Sequence, residues 1–214
     1  MLLTDRSVRD ALEAFSSPDP TPGGGSASAL ASALGTSLLI MVSGLAKTRA
    51  GTEQERAALA SARQRLVDLR DELVRAIDAD AAAYDRVVSA YKLPKASIDD
   101  QHVRKSVVRD ALRAATDVPL GVMRLSASAL SEAGTVAAFV QTGAASDVGV
   151  AIALVRAGLH GAKLNVEINV SAMRDDDYAS AARGTAERQT TEGEAFARAA
   201  ERALSSSGSS GSQG

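Results

Sequence analysis

From Thr21 to Ala46 the chain carries no charged residue, so its fold has to enclose that stretch or place it in lipid. The run passes the length test for a membrane span, which is about 18 residues. Its composition argues the other way: Gly, Ala, Ser and Thr fill it more than Leu, Ile and Phe, and it opens on a Pro-Gly-rich turn. A helix that is apolar all round is normally enclosed by protein. The expectation is a buried helix, at the centre of a bundle or in a subunit interface, with no membrane partner.

The other segments repeat at helical period, and alternating strand patterns with Asn-Gly turns are almost absent. The fold class expected is all-α, an up-and-down bundle of long helices. Thr4 can cap a first helix with the stripe Val8, Leu12 and Phe15, stopped by Pro18, Pro20 and Pro22. Ser26 opens a second with Leu30, Leu34, Leu38, Met41 and Leu45, and Thr52 caps a long third reaching Tyr91. Ser97 or Asp99 opens a fourth, which Pro119 should kink or restart, with breaks at Gly134 and Gly143. Ser146 and Asp147 start a fifth, and Asp175 begins the last, ending near Leu204. Residues 164–170 alternate apolar and polar like a strand. With no second strand to pair with, they are read as helix, which puts Asn165 and Asn169 on one face.

A chain of 214 residues suits one domain, here 1–204, followed by a Ser/Gly/Gln tail over 205–214 expected to be disordered. The net charge of −2 and the lack of a basic run argue against nucleic acid. Without Cys there is no disulfide framework or thiol nucleophile, and His102 and His160 are too few for a His-rich metal site or a convincing Ser-His-Asp triad. No metal or cofactor is expected. Asp5, Arg6, Arg9 and Asp10 occupy the place of a secretory apolar core, which points to a cytoplasmic protein.

Chemistry then falls to carboxylates, amides, hydroxyls and amines. Gly23, Gly24, Gly25 and Ser26 lead into a helix, where bare backbone N–H groups either cradle an anion or simply form a turn before a tightly packed helix. Asp78 and Asp80 lie two apart, so they point to different sides. Asp80 shares a face with Leu73, Ile77 and Tyr84 and is the candidate enclosed acid or base, unless both carboxylates are solvated surface. Asn165 and Asn169 need hydrogen-bond partners, from a neighbouring backbone or from a heterocyclic ligand. Asp147 reads as a helix cap, Lys47 as a complement to a helix dipole, and Lys95 as a loop cation for a carboxylate tail or for solubility.

The ordered set Pro20-Thr21-Pro22-Gly23-Gly24-Gly25-Ser26, Met41-Val42, Asp80, Tyr91-Lys92-Leu93-Pro94-Lys95, Ser146-Asp147 and Asn165-Val166-Glu167-Ile168-Asn169 resembles the formimidoyltetrahydrofolate cyclodeaminase/methenyltetrahydrofolate cyclohydrolase family, from about Thr4 to Leu204. Two loops depart from the family pattern, Leu45-Ala46-Lys47-Thr48-Arg49 and Gln141-Thr142-Gly143-Ala144-Ala145. The resemblance implies an all-helical homodimer acting on a tetrahydrofolate derivative without a further cofactor. It implies Asp80 as the catalytic carboxylate and the Gly23–Ser26 block as part of the site wall. Asn165 and Asn169 would lie near the pterin, Asp147 among the substrate contacts, and Lys47 and Lys95 near the folate carboxylates. Hydrolysis of the 5,10-methenyl form is favoured over deamination of the formimino form because no formiminotransferase domain is fused in this chain.

Overall fold

The computed structural model describes residues 2–173 and 176–209. Six α-helices account for most of it: α1 Val8–Ser16, α2 Gly24–Ser43, α3 Glu53–Tyr91, α4 Ile98–Phe139, α5 Ala145–Ser171 and α6 Asp176–Ser209. Among the described residues there is no strand, and 164–170 are helical within α5. Short 3₁₀ turns precede α1 and α5.

Local chemistry sets the starts of the long helices. Thr52 and Ser97 each accept from the backbone N–H three residues on, while Glu55 and Asp100 reach back to the cap N–H, so both α3 and α4 begin in a capping box. The first helix differs from expectation. Ser7, not Thr4, caps α1 by accepting from the Asp10 N–H. The Thr4 hydroxyl instead donates to Asp78 Oδ2 at 2.6 Å, and the Leu3 N–H donates to Asp78 Oδ1 at 2.6 Å, which fastens the N-terminal turn to α3. Helix α2 begins at Gly24, two residues before Ser26. The expected start of α6 at Asp175 lies outside the described residues, and the helix continues through Ser205–Ser209, part of the stretch composition assigns to the tail.

Helix α2 packs between α3 and α5, α4 packs on α3 and α5, and α6 lies along α4 and α5. The core comprises large side chains such as Leu39, Leu66, Leu73, Met123, Leu130, Ile152 and Leu159, all fully buried. From Ser26 to Thr36 the inward face of α2 is small instead: Ser26, Ala29, Ser32, Ala33, Gly35 and Thr36 are buried, with Leu39 and Val42 buried further along, whereas Leu30, Leu34 and Met41 point outward, Leu34 being 52% exposed. Of the expected apolar stripe, Leu30, Leu34 and Met41 are thus on the outer face, Leu38 is half-buried against the core, and Leu45 is exposed just beyond the helix end. Small residues let α2 and α5 run antiparallel in near backbone contact. A Cβ on Gly35 would lie 2.7 Å from the Ala151 carbonyl oxygen, and one on Gly158 would lie 2.6 Å from the Ser28 carbonyl oxygen. Helix α2 and the segment 142–171 are long and apolar enough to cross a membrane, with mean hydropathy 1.6 and 1.3, and 56% of the α2 window is buried in the bundle.

Pro119 does not restart α4, and Gly134 does not break it: the helix runs through both. A proline in a helix leaves the carbonyl four residues earlier without its donor. That carbonyl is Ala115, and Asn169 of α5 donates to it through Nδ2 at 2.8 Å. A side chain from a neighbouring helix thus replaces the N–H that Pro119 lacks. Asn169→Leu should cost about 1–3 kcal/mol by stranding a buried carbonyl. In a Pro119→Ala background, where a backbone N–H can serve Ala115, the cost should fall below about 1 kcal/mol. Urea denaturation of the four proteins measures the coupling, and equal costs in both backgrounds would refute this account of Asn169.

Candidate functional site

The head of α2 is a meeting point of three helices. Its first N–H groups have no intrahelical acceptor, and Asp80 of α3 faces them. The Ser26 N–H donates to Asp80 Oδ2 at 2.8 Å. The Ser26 hydroxyl lies 3.1 Å from the same oxygen and also donates to the Ile77 carbonyl at 2.8 Å. Gly25 lies flat against the carboxylate: a Cβ there would collide with Asp80 Oδ1 and stand 2.5 Å from Cγ. On the other flank Asn165 of α5 covers Gly24, where a Cβ would meet Asn165 Nδ2 at 3.4 Å. Asn165 is oriented by donating Nδ2 to the Gly161 carbonyl at 2.8 Å, one turn back in α5.

No described glycine has a positive φ. The glycines at the head of α2 therefore serve close approach of backbone to the Asp80 carboxylate and Asn165 amide, and not a left-handed turn.

Asp80 is half-buried, and burial raises its carboxyl above the usual carboxylate range, against the two Ser26 hydrogen bonds that pull it down. Asp78, two residues away, is committed to Leu3 and Thr4. The pair thus divides as the helical spacing implies, one carboxylate holding the N-terminal turn and the other facing the α2 head.

Of the residues singled out from the sequence, Gly24, Gly25, Ser26, Asp80 and Asn165 come together, with Gly23 as the α2 cap. Asn169 stands one turn beyond Asn165, with its amide donor engaged on Ala115. Lys47 is exposed beyond the C-terminal end of α2, roughly 30 Å along the helix from its head. Asp147 occupies the first turn of α5, where the cap residue Ala144 makes no side-chain cap bond, roughly 27 Å of helix before Asn165. Both therefore sit at the far end of the bundle from Asp80 in the same chain. Lys95 lines an open basin of about 1340 Å³ formed by the end of α3, the start of α4 and the end of α5. Among the described residues no group of three or more acidic or imidazole side chains could hold a metal ion.

The sequence reading passed over part of that basin. Lys105, Arg109 and Arg113 line it at intervals of four residues on α4. They form no contiguous basic run, and the i, i+4 spacing is the signal that would have revealed them.

A family model described as formiminotransferase-cyclodeaminase matches residues 7–188. A methenyltetrahydrofolate cyclohydrolase of Methylorubrum extorquens is 34% identical over 82% of this chain and 84% of its own length. The formimidoyltransferase-cyclodeaminase of Sus scrofa is 29% identical over 82% of this chain, which spans 32% of that longer protein. A solved formiminotetrahydrofolate cyclodeaminase from Thermotoga maritima shares the fold, with a TM-score of 0.82 over 94% of this chain and 96% of that one at 24% identity. The all-helical architecture read from periodicity and the family read from the ordered motifs both hold: this chain belongs to the formiminotransferase-cyclodeaminase family of folate one-carbon enzymes.

Proposed function

We propose that the protein hydrolyses 5,10-methenyltetrahydrofolate to 10-formyltetrahydrofolate at the head of α2, with Asp80 as acid and base. The observation that carries this is a half-buried carboxylate of raised pKa, aimed by Ser26 and pressed against bare glycine backbone. Water adds to the cationic amidine carbon, and Asp80 takes the proton it sheds. As the bond from that carbon to N5 breaks, the same group returns that proton to N5 and the hydroxyl of the adduct gives up its own proton to solvent, which leaves the formyl group on N10. The carboxylate also offsets the positive charge of the methenyl centre in a partly desolvated setting. Asn165 beside Gly24 offers an amide to the polar edge of the pterin, and Asn169 acts on that wall through α4.

The methenyl reading is favoured because the Methylorubrum relative matches over most of both chains. The second reading, release of ammonia from the formimino form, is supported by the named activity of the longer relatives. It uses the same carboxyl, which would then protonate the departing nitrogen. The reading further holds that the enzyme works in the cytoplasm as a homodimer and needs no metal or separate cofactor. The outer face of α2, with Leu30, Leu34, Met41 and Leu45, supplies an uncharged surface for a second copy, which fits its hydropathy without a membrane.

The test is the fall in methenyl absorbance at mildly acidic pH, where spontaneous hydrolysis is slow. Wild type should accelerate it, and Asp80→Asn should lower kcat by about 10²–10⁴-fold. An Asp80→Asn protein with full turnover on both folates would remove Asp80 from the mechanism. Gly25→Ala should also lose most of its turnover while keeping its helical circular dichroism, because the added methyl displaces the carboxylate and not the fold.

Asp80 also ties stability to pH. Its folded pKa is raised, so the folded state binds this proton more tightly than the unfolded one. Its contribution is full below the unfolded pKa and is lost as pH rises through the folded value. Asp80→Asn should therefore melt above wild type at neutral pH, with the difference shrinking as pH falls into the carboxylate range. Thermal melts at several pH values read this, and a variant that melts lower at every pH would contradict it.

A further inference from the structure

The face of α3 that carries Asp80 runs further than the chemistry proposed for it. Leu73, Ile77, Asp80, Tyr84, Val87 and Tyr91 recur at intervals of four and three residues, so they line one side of the helix. Below Asp80 that side is core, with Leu73 fully buried and Ile77 3% exposed. Helix α2 packs on α3 there and begins level with Asp80, where the Ser26 N–H meets the carboxylate. Helix α3 then continues for roughly 16 Å past Asp80, and the rings on the same side open to solvent, Tyr84 at 43% and Tyr91 at 47% exposed.

Tyr84 stands one turn from Asp80, with roughly 5–6 Å between their Cβ atoms. Aromatic rings are scarce in this chain, which has three Phe, three Tyr and no Trp. Two of the three tyrosines have partners for their rings. The Arg104 guanidinium lies 5.5 Å over the Tyr91 ring, and that of Arg113 lies 5.2 Å over Tyr178, whose hydroxyl donates to Asp117 Oδ1 at 2.6 Å. Tyr84 has neither a ring contact nor a hydrogen bond among the described residues. A ring with no task inside its own chain, one helical turn from the half-buried carboxylate, is placed for the flat part of a ligand that reacts at Asp80.

We infer that the Tyr84 ring packs on the aminobenzoyl ring of the folate and so aligns the reacting carbon with Asp80, which makes Tyr84 a substrate-positioning residue of this site. The inference rests on the folate reading above. The reacting carbon joins N5, on the pteridine, to N10, on the aminobenzoyl group, so the two ring systems leave it in different directions. With the pteridine against Asn165, across the α2 head on α5, N10 and its ring run along α3 to Tyr84. Stacked rings have centroids about 4.5–7 Å apart, a separation that a side chain one turn from the carboxylate can supply. Such a contact fixes the plane of the ring joined to N10, and with it the approach of the amidine carbon to Asp80. The interaction needs the ring of Tyr84 and not its hydroxyl.

The experiment compares wild type, Tyr84→Phe and Tyr84→Leu in steady-state turnover of 5,10-methenyltetrahydrofolate, with p-aminobenzoylglutamate and tetrahydropterin as competing fragments. Tyr84→Phe should keep KM within about twofold of wild type, and Tyr84→Leu should raise it on the order of tenfold with a smaller fall in kcat. The benzoyl fragment should inhibit wild type and Tyr84→Phe competitively and act more weakly on Tyr84→Leu, whereas tetrahydropterin should inhibit all three alike. A purely structural role would not split the two fragments. Unchanged KM in Tyr84→Leu, or weakened binding of tetrahydropterin in place of the benzoyl fragment, would overturn the inference and leave the folate reading standing. An equal fall in kcat for both variants would mark the hydroxyl as the working group and would overturn it too. A changed oligomeric state of Tyr84→Leu on gel filtration would assign the ring to an interface between copies, with the same consequence. If wild type turns over neither folate, the folate reading fails first, and calorimetric binding of p-aminobenzoylglutamate decides the ring. Binding that Tyr84→Phe keeps and Tyr84→Leu weakens upholds the contact, and equal binding by all three proteins, or none, removes it.

Discussion

The near-contact of α2 with its neighbours is the constraint on which the rest of the molecule depends. From Ser26 to Thr36 its inward face is built from Gly, Ala, Ser and Thr, so side chains do not hold the helices apart there, and α5 passes it with Gly158 and Gly161 against Ser28 and Ser32. Close packing of that kind has no slack, because even one added methyl meets a carbonyl or hydroxyl. The same lack of side chains brings backbone N–H groups at the α2 head into contact with a carboxylate. Packing and site are therefore consequences of one sequence choice.

Electrostatics then separates functions that lie near each other along the chain. Asp78 and Asp80 differ by two positions and face different partners, one a surface turn and the other a helix head. Burial of the second raises its carboxyl above the usual carboxylate range. A comparable division appears between α5 and α6. There Glu194 accepts a two-pronged contact from Arg156 and a bond from His160 at 2.9 Å, and the guanidinium holds its carboxyl below the usual range. The Glu194 carboxylate fastens helices together through cations, whereas Asp80, held by Ser26, faces the candidate site.

Pro119 and Asn169 show how a residue in a functional motif can carry a structural task. An Asn pair one turn apart in an apolar helix admits a ligand or a neighbouring backbone as partner. The backbone holds Asn169, since Ala115 lacks the donor that Pro119 cannot supply. Asn165 is tied to its own helix, through Gly161, and keeps its face toward Gly24. The two residues differ because only one of them faces a proline-containing helix.

Much of the design was legible in the chain. Helical period, the Thr52 and Ser97 caps and the absence of strand partners determined an all-α fold, since these are local properties of backbone and neighbouring side chains. The spacing of Asp78 and Asp80 and the bare Gly23–Gly25 run also marked where an enclosed carboxylate and an exposed helix head could occur. Tertiary structure decided what met what. It turned Leu30, Leu34 and Met41 of α2 outward, carried α4 through Pro119, placed Lys47 and Asp147 at the far end of the bundle, and lined Lys105, Arg109 and Arg113 along the basin. Such outcomes depend on which helix faces are pressed together across many residues of chain. Periodicity says that a helix has faces, and only packing against its neighbours selects the face that each one hides.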